Sequence, residues 1–403
     1  MQPSDVRRRR VFYIPGYDPV HPRRYRELYR KEGRAQAEIS RYDLTLTPKK
    51  AAKGQGGNYG WHVDAVIEGL PVSADMEVLV WSDIVRSSME TGIVGTYVQL
   101  VRTSWTYIAS GALRRLTWLR KGPVVAALYP IVLLLLQLLA ALIVAGVSAW
   151  VLSFLHPWAA VLGLAAVPLV LLQFRKYDRR FLAYYLMHDY AYSAQHGGAN
   201  PPELEARMAA FADMIAGALE SDVEEVLIVG HSSGAHLGVS ILADLIRQGR
   251  VPKSGPALSF LTLGQVVPMV SFLPKAFRLR ADLQYLSARS ELTWVDVTAP
   301  GDGCAFALCD PVAVSGVAPA DQRWPLVFSA AFTQTLSPER WEELKRQFFR
   351  LHFQYMCAFD RPKDYDYFQI TAGPKTLGLR YAGRAPSVSR IDVPASKFTS
   401  IAA

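Results

Sequence analysis

The chain has 403 residues, of which 51% are hydrophobic and 20% charged, and it carries a formal net charge of +9. This length allows one large domain or two ordinary ones. The sequence contains no zinc-finger spacing and no RNA-binding signature, and its basic residues cluster beside apolar segments. The charge therefore favours contact with a membrane and argues against a nucleic-acid partner.

Three cysteines, Cys304, Cys309 and Cys357, are too few for a disulfide framework. We find no histidine at ligand spacing from them, so we expect reduced, buried thiols and neither a metal site nor a cofactor. Reduced thiols are typical of a cytosolic protein. The basic start of the chain is followed by an apolar run too short for a secretory signal peptide.

The N-terminal third alternates short apolar runs with polar and glycine-rich stretches. Residues 11–14 predict a buried strand, and Pro15, Gly16 and Tyr17 form the loop after it. Residues 49–59, rich in glycine and lysine, predict a longer loop. Further strands are predicted at residues 42–47, 63–67 and 76–81, and helices at residues 23–39 and 97–119.

Residues 122–174 contain no Asp, Glu, Lys or Arg, a stretch of 53 residues. Residues 123–152 exceed the roughly 20 apolar residues that a membrane helix needs. Residues 153–158 interrupt the stretch, and residues 159–174 continue it near the short end of spanning length. The segment predicts a transmembrane helical hairpin. Two alternatives stay open: a hairpin that enters the bilayer without crossing it, and a buried core hairpin of a soluble protein.

Aromatic and basic residues around this segment predict its orientation. Trp150 and Trp158 lie near the tip, where interfacial aromatic residues are enriched. Both ends are basic, so the positive-inside rule predicts cytoplasmic ends and an outward tip. We therefore expect a two-helix membrane protein whose remaining chain is cytoplasmic. The basic residues are Arg114, Arg115, Arg120 and Lys121 before the segment and Arg175, Lys176, Arg179 and Arg180 after it.

The segment that follows, residues 181–192, is aromatic and carries His188 and Asp189. Adjacent residues of a helix point in different directions, so we interpret this His-Asp pair as structural. Residues 203–219 then predict an amphipathic helix, because their apolar side chains recur at steps of three and four residues.

The most informative stretch is residues 226–236, an apolar run that ends in G-H-S-S-G at residues 230–234. A helix-like segment follows, and the whole fits the G-x-S-x-G nucleophile elbow. The central Ser232 would lie on a strained turn, which requires small residues two positions before and after it. The N–H of Ser233 opens the helix, where the dipole favours a developing oxyanion. The alternative is a glycine-rich turn without chemistry.

A triad acid is predicted past a later strand. Residues 258–263 and 292–298 predict strands, and Asp302 lies in the turn after the second one. Such a turn is flexible enough to aim a carboxylate at a histidine. Asp296, within the strand, and Asp310, beyond the turn, are weaker candidates. The alternative for Asp302 is a turn-forming residue beside two glycines.

On this elbow and acid, the chain resembles the lipase- and esterase-like serine hydrolases of the α/β-hydrolase superfamily. The resemblance implies the chain order Ser, acid, His. Of eight histidines only His352 lies after Asp302, so His352 is the expected base. It is predicted at the end of a helix over residues 338–350, on an aromatic face where a histidine more usually packs into a core.

The resemblance also implies an oxyanion hole. In such hydrolases the loop after an early strand donates a second N–H, often from a His-Gly element. Gly16 or Tyr17 occupies that position here and would act with Ser233, with an ordinary tight turn as the alternative. The chain departs from the family in having neither His-Gly nor a glycine run in this loop.

The implied fold class is α/β, an α/β-hydrolase core of mostly parallel sheet flanked by helices, with the hydrophobic hairpin inserted. The core would comprise residues 1–121 and 175–364, separated by the hairpin of residues 122–174. Residues 365–403, with Gly, Pro, Ser and Lys, predict an irregular C-terminal extension.

The resulting hypothesis is a membrane-anchored serine hydrolase that cleaves a lipid-like carboxylic ester with Ser232, His352 and Asp302. Its expected partners are that ester and the bilayer, and the sequence leaves the oligomeric state open. Two other classes remain: an acyltransferase that uses the same triad, and a non-catalytic membrane scaffold of the same fold. The intact set of three residues argues against the scaffold.

Overall fold

The computed structural model describes residues 5–49 and 59–402. Most of the loop predicted at residues 49–59 lies outside these residues. All the predicted strands are present; β7 has the predicted bounds, β4 starts earlier than predicted, and β8 has no counterpart in the prediction. The strands are β1 Arg8–Ile14, β2 Asp43–Pro48, β3 Gly60–Ile67, β4 Leu70–Val78, β5 Glu225–His231, β6 Ala257–Leu263, β7 Leu292–Thr298 and β8 Leu326–Ser329.

The strands form one sheet in the order β2-β3-β4-β1-β5-β6-β7-β8. All neighbours from β4 to β8 are parallel, and the β2/β3 and β3/β4 pairs are antiparallel. β1 pairs with β5 so that Ile14 lies opposite Gly230. Because parallel strands end at the same sheet edge, the loops after β1, β5, β6 and β7 gather there.

Helices cover both faces of the sheet, so the chain is an α/β protein with a mostly parallel sheet. The α-helices are α1 Arg23–Ser40, α2 Ser82–Ser88, α3 Ile93–Ala109, α4 Ala112–Leu119, α5 Lys121–Ser153, α6 Ala166–Lys176, α7 Asp178–Phe181, α8 Ala183–Ala194, α9 Pro202–Leu219, α10 Gly234–Arg247, α11 Val267–Ser271, α12 Phe277–Ser287, α13 Pro311–Val314, α14 Phe332–Thr335, α15 Pro338–Leu344, α16 Phe348–His352, α17 Tyr367–Ala372 and α18 Leu377–Arg380; Pro157–Ala165 and Gln354–Met356 are 3₁₀ helices.

The core has two halves because successive side chains of a strand point to opposite faces. In β5, Val226 and Ile228 pack in a cluster with apolar residues of α9, α10 and α12. Leu227 and Val229 pack on the opposite face, in a cluster that includes residues of α1 and α17. Every residue of β5 is buried, so the strand that carries the elbow is held from both sides.

Two predicted helices are each broken in the structure. The helix expected at residues 97–119 is divided into α3 and α4, because Gly111 adopts a left-handed backbone with φ of 76°. The helix expected at residues 338–350 is likewise divided: α15 ends at Leu344 and α16 begins at Phe348. His352 is therefore the last residue of a short separate helix, where loop geometry sets its position.

The predicted C-terminal extension is partly integrated into the core: residues 365–381 include α17 and α18 and pack against the sheet, whereas residues 382–402 are irregular and mostly exposed. Tyr365, Phe368 and Leu377 are each 1% exposed or less and join the cluster on the α1 face of the sheet. Arg9 of β1 donates to the Gly373 carbonyl oxygen at 2.8 Å. The glycine- and proline-rich composition concealed these apolar residues, which are enough to anchor the segment.

The hairpin is present as α5, the 3₁₀ segment Pro157–Ala165 and α6. Lys121–Ser153 and Pro157–Lys176 are long and apolar enough to cross a membrane. Little of either is buried inside the protein, which argues against a core hairpin. A Cβ at Gly163 would lie 2.5 Å from the Ala149 nitrogen, so the two arms make the close small-residue contact that membrane helices favour.

Candidate active site

The predicted elbow has the expected strand, turn and helix. β5 ends at His231, α10 begins at Gly234, and Ser232 between them has a φ of 55°. This left-handed conformation costs a residue with a side chain about 1–3 kcal/mol and persists only where surrounding structure enforces it. The Ser232 side chain is partly exposed at the sheet edge. The backbone therefore presents this hydroxyl as a nucleophile elbow would.

The two glycines of the motif are required by close backbone contacts. A Cβ at Gly230 would lie 2.8 Å from the Gly234 carbonyl oxygen. A Cβ at Gly234 would lie 2.1 Å from the carbonyl oxygen of Ile14, the last residue of β1. In the second contact the crowding partner is the neighbouring strand. Gly234 thus lets the turn and the loop after β1 approach each other.

The loop of Pro15, Gly16 and Tyr17 lies directly beside the nucleophile. A Cβ at Gly16 would lie 3.0 Å from the Ser232 Cβ and 3.4 Å from its Oγ. The loop is held by its carbonyl groups: Trp81 Nε1 donates to Pro15 O at 3.0 Å and Tyr185 Oη donates to Tyr17 O at 2.5 Å. The sequence-predicted loop therefore lies where a second oxyanion donor is needed.

The backbone N–H groups of Gly16, Tyr17 and Ser233 form no hydrogen bond with any described residue. Buried backbone N–H groups are otherwise almost always paired, and free ones beside a nucleophile can bind a developing oxyanion. Ser232 donates its own N–H to the Leu263 carbonyl oxygen at the end of β6, at 2.9 Å. The Ser232 N–H is thus engaged in holding the turn.

Asp302 and His352 meet at this sheet edge, from parts of the chain far apart in sequence. His352 Nδ1 lies 2.7 Å from Asp302 Oδ2, and both side chains are buried. Tyr355 donates its hydroxyl hydrogen to the same oxygen at 3.0 Å, and the Cys304 N–H donates to Asp302 Oδ1 at 2.9 Å. These bonds fix the carboxylate in the orientation that a triad acid needs.

Electrostatics keep this acid ionised. Burial alone would raise the pKa of Asp302, but the neighbouring His352 and the hydrogen bonds to the carboxylate hold that pKa below its ordinary value. An ionised Asp302 accepts the Nδ1 hydrogen of His352 and leaves Nε2 unprotonated in the neutral ring. That nitrogen is the one a general base uses.

His231, the residue before the nucleophile, supports His352 and was not singled out by sequence reasoning. Burial lowers the pKa of His231 to about 3, so its ring is neutral at pH 7. Its Nε2 lies 3.0 Å from the His352 carbonyl oxygen and donates to it, and the two ring centroids are 4.7 Å apart. Its position within the motif was the only signal in the sequence.

The described residues include no hydrogen-bond partner for Ser232 Oγ. His352 nevertheless lies at the adjoining strand end: a Cβ at Gly264, two residues after Thr262 of β6, would lie 3.0 Å from His352 Cε1. The Leu263 carbonyl oxygen accepts from the Ser232 N–H. Ser232 and His352 thus lie beside consecutive residues at the end of β6. A hydrogen bond between a nucleophile and its base is often long before substrate binds and tightens afterwards.

The other acid candidates have different partners. Asp310 caps α13 by accepting from the Val312 and Ala313 N–H groups at 2.9 and 3.1 Å. Asp296 lies within β7, accepts from the Thr262 hydroxyl at 2.5 Å, and is fully buried. Burial raises the pKa of Asp296 to about 8. Neither contacts His352, which favours Asp302 as the acid.

His188 and Asp189, which the sequence interpretation treats as structural, have different surroundings in the structure. His188 Nδ1 lies 2.7 Å from the Gln99 side-chain oxygen, which fits a structural role. Asp189 instead lies within electrostatic range of His352, Cys304 and Tyr17. Burial raises the pKa of Asp189 to about 7, and the charge of His352 opposes that rise. Asp189 is therefore a second carboxyl group near the site, brought there by tertiary structure.

Asp302, Cys304 and His352 each bring one possible metal-ligand atom to within 4.8 Å of the others. Tertiary structure thus brings His352 near Cys304, a proximity that spacing along the sequence does not reveal. The Asp302–His352 hydrogen bond already uses two of the three groups, and burial raises the pKa of the Cys304 thiol. Zinc requires the thiolate, so the arrangement fits a catalytic pair better than a metal centre.

Comparisons with protein families, with curated proteins and with solved structures find no match for this chain. The geometry of the site itself indicates which chemistry it can perform. A serine on a strained turn, a buried His-Asp pair beside it and free backbone N–H groups together can perform acyl transfer through a covalent intermediate.

Proposed function

We propose that this chain is a membrane-attached serine hydrolase of α/β-hydrolase architecture that cleaves a lipid-like carboxylic ester. The observation that carries the proposal is the buried 2.7 Å contact between Asp302 Oδ2 and His352 Nδ1. This contact occurs at the same sheet edge as Ser232. The Ser232 backbone is left-handed, a strained conformation that clusters at functional sites. The strict Ser, acid, His order of the chain agrees with it.

In the proposed mechanism, Ser232 Oγ attacks the ester carbonyl carbon while His352 Nε2 takes the hydroxyl proton. The C–O bond to the leaving alcohol then breaks, and His352 returns the proton to that oxygen. Asp302 holds the imidazole and stabilises its positive charge. The N–H of Ser233 and that of Gly16 or Tyr17 bind the oxyanion, each worth about 3 kcal/mol of barrier in comparable sites. Water repeats the sequence and releases the acid.

The lipid-like substrate is inferred from the position of the hairpin. A Cβ at Gly122, near the start of α5, would lie 3.0 Å from the Gly303 carbonyl oxygen, next to the catalytic acid. The Arg120 guanidinium donates to the Ala307 carbonyl oxygen at 2.7 Å. The base of the hairpin therefore packs on the acid loop. An apolar substrate that partitions into the bilayer would therefore reach the active site from the membrane, because the hairpin lies against the site.

Activity-based labelling tests the reaction class. A fluorophosphonate probe applied to membranes that contain the protein is expected to label the wild type and Ser233→Ala, whose backbone N–H is unchanged. Ser232→Ala is expected to lose all labelling. Equal labelling of Ser232→Ala, or no labelling of the wild type, rejects a serine mechanism and leaves the scaffold class.

Product analysis then separates hydrolysis from acyl transfer. Membranes from cells that express the wild type or Ser232→Ala are compared by lipid mass spectrometry. Hydrolysis predicts that a free fatty acid accumulates only with the wild type and that its ester is depleted. Appearance of a new ester or amide at the expense of the old one would assign transfer instead.

A further inference from the structure

Helix α3 exposes a stripe of large apolar residues while it buries two threonines. Its buried face includes Thr96 and Thr103, which are 0% and 4% exposed, whereas Val94 and Trp105 are 76% and 71% exposed. A surface helix normally turns its polar residues outward. The exposed apolar side chains recur at steps of four and three residues and form one stripe, here called the α3 face: Val94, Val98, Val101, Trp105 and Ile108.

The inward face of α3 is fixed by contacts near both ends of the helix, so the outward direction of the stripe is fixed as well. Tyr97 donates its hydroxyl hydrogen to the Leu134 carbonyl oxygen of α5 at 2.9 Å. Tyr107 donates to the Met269 carbonyl oxygen at 2.9 Å. Leu100 packs with Leu134 and with Met187 of α8. α3 therefore packs mainly on α8 and touches α5 at Leu134, so its inward face is occupied.

The charge around the α3 face fits an anionic lipid surface. Residues 91–177 contain no Asp or Glu, whereas they contain seven Lys and Arg residues. Arg102 lies on α3 itself and is exposed. Arg114 and Arg115 lie over the Trp118 ring, which is 57% exposed on α4. Tryptophan beside basic residues and no acid is the pattern of a bilayer interface.

The length of α5 explains how lipid could cover α3 as well as the hairpin. Exposed apolar side chains of α5 run from Val125 to Val151, about 40 Å along the helix axis. The hydrocarbon core of a bilayer is about 30 Å thick. A helix whose apolar length exceeds that thickness tilts. Tilting lowers the first half of α5, and α3 beside it, toward the membrane surface.

From these observations we infer that the α3 face lies in the lipid interface, so that the bilayer covers the body of the protein from Val94 to Ile108 and not the hairpin alone. The inference rests on the membrane attachment in the proposed function and extends it to the catalytic body. Lipid is the occupant because the α3 face lies in the same charge-biased region as the apolar hairpin, residues 91–177, which carries seven basic residues and no acidic one.

Site-directed fluorescence in vesicles tests the inference on the full chain. A nitrobenzoxadiazole label is attached at Val101→Cys, and separately at Ile108→Cys, in a Cys304→Ala background whose remaining thiols are buried. Vesicles of phosphatidylcholine and phosphatidylglycerol carry doxyl-labelled acyl chains in one set, and iodide is added to the other. Leu139→Cys, exposed on the hairpin, is the lipid reference, and the fully exposed Val388→Cys is the water reference.

The inference predicts severalfold quenching of both α3 labels by doxyl lipid, near that of the label at position 139, and severalfold less iodide quenching than at position 388. Iodide quenching equal to that at position 388 overturns it. Blue-shifted emission without doxyl quenching also overturns it, since a second copy or another protein then covers the α3 face. If the position 139 label is not quenched by lipid either, the membrane attachment itself is wrong.

Discussion

The nucleophile side of the site and its acid–base side are built in different ways. Ser232, its two flanking glycines and the start of α10 are contiguous, and their geometry follows from backbone contacts such as Gly234 against Ile14. Asp302 comes from the loop after β7 and His352 from the end of α16, and side-chain hydrogen bonds orient them. One side is specified by local sequence, and the other by tertiary packing.

This difference predicts how each side fails. A side chain at Gly234 would clash with backbone atoms, which cannot move aside as a flexible side chain can. A substitution there should therefore both disrupt the elbow and destabilise the fold. Side-chain hydrogen bonds can be removed singly, so changes around Asp302 should reduce the rate and leave the fold intact. In the proposed mechanism the two sides act as one unit, because attack and proton transfer occur in the same step.

The largest expected effect tests that unity. Ser232→Ala and His352→Ala should each lower kcat by about 10⁶-fold, and the double variant should be no worse than either. Asp302→Asn should cost about 10⁴-fold. Hydrolysis of a short, soluble ester measures kcat for all four variants. Costs that multiply in the double variant would mean that the two sides act independently.

A methyl group at Gly234 tests the nucleophile side of the site, which is specified by local sequence. Gly234→Ala places a Cβ 2.1 Å from the Ile14 carbonyl oxygen and should lower the free energy of unfolding by about 3 kcal/mol or more and abolish fluorophosphonate labelling. Gly217→Ala in α9 is the matched control, since a Cβ there meets nothing within 4 Å. Thermal unfolding and labelling are compared. Wild-type labelling of Gly234→Ala would contradict the proposed turn.

Removal of the Tyr355 hydroxyl tests the acid–base side of the site, which depends on tertiary packing. Tyr355→Phe loses the bond to Asp302 and leaves the buried Ala299 N–H without the acceptor that it has at 3.0 Å. Loss of the bond to Asp302 should lower kcat roughly 10-fold, and the unpaired Ala299 N–H should lower the free energy of unfolding by about 1–3 kcal/mol. Tyr285→Phe, on the outer helix α12, is the control. A Tyr355→Phe rate equal to the wild type would remove Tyr355 from the site.

The smallest effect concerns stability and pH. Burial raises the pKa of Asp296 to about 8, so the folded protein holds a proton that the unfolded chain loses above about pH 4. Stability therefore falls as pH rises between these values. Asp296→Asn should raise Tm by a few degrees at pH 9 and change it little at pH 4. If Tm depends on pH in the same way in both proteins, the Asp296 carboxyl is more hydrated than its burial indicates.

The sequence predicted the parts of the site that depend on short-range pattern. The elbow, the loop of Gly16 and Tyr17, and the turn that holds Asp302 all follow a strand whose apolar run is visible in the chain. The order Ser, acid, His then selected His352. The structure brings these residues together at one sheet edge, as parallel strands require.

What could not be predicted depends on contacts between distant segments. His231 and Tyr355 support the triad through partners far away in the chain, and neither residue type signals such a role. Asp189 reaches the site only because α8 packs beside it. The C-terminal segment was misjudged because its anchoring residues are few and scattered, and Gly111 divides a helix that periodicity alone would continue.

The contact between Gly122 and Gly303 has a consequence for how this protein can be handled. Membrane anchors are commonly removed to obtain a water-soluble form, on the assumption that anchor and domain are separable parts. Here the first turn of α5 fills space against the backbone next to Asp302. A cut at the predicted boundary near residue 122 would expose the acid loop to water. A soluble version must therefore keep the base of α5 and shorten the hairpin only nearer its tip.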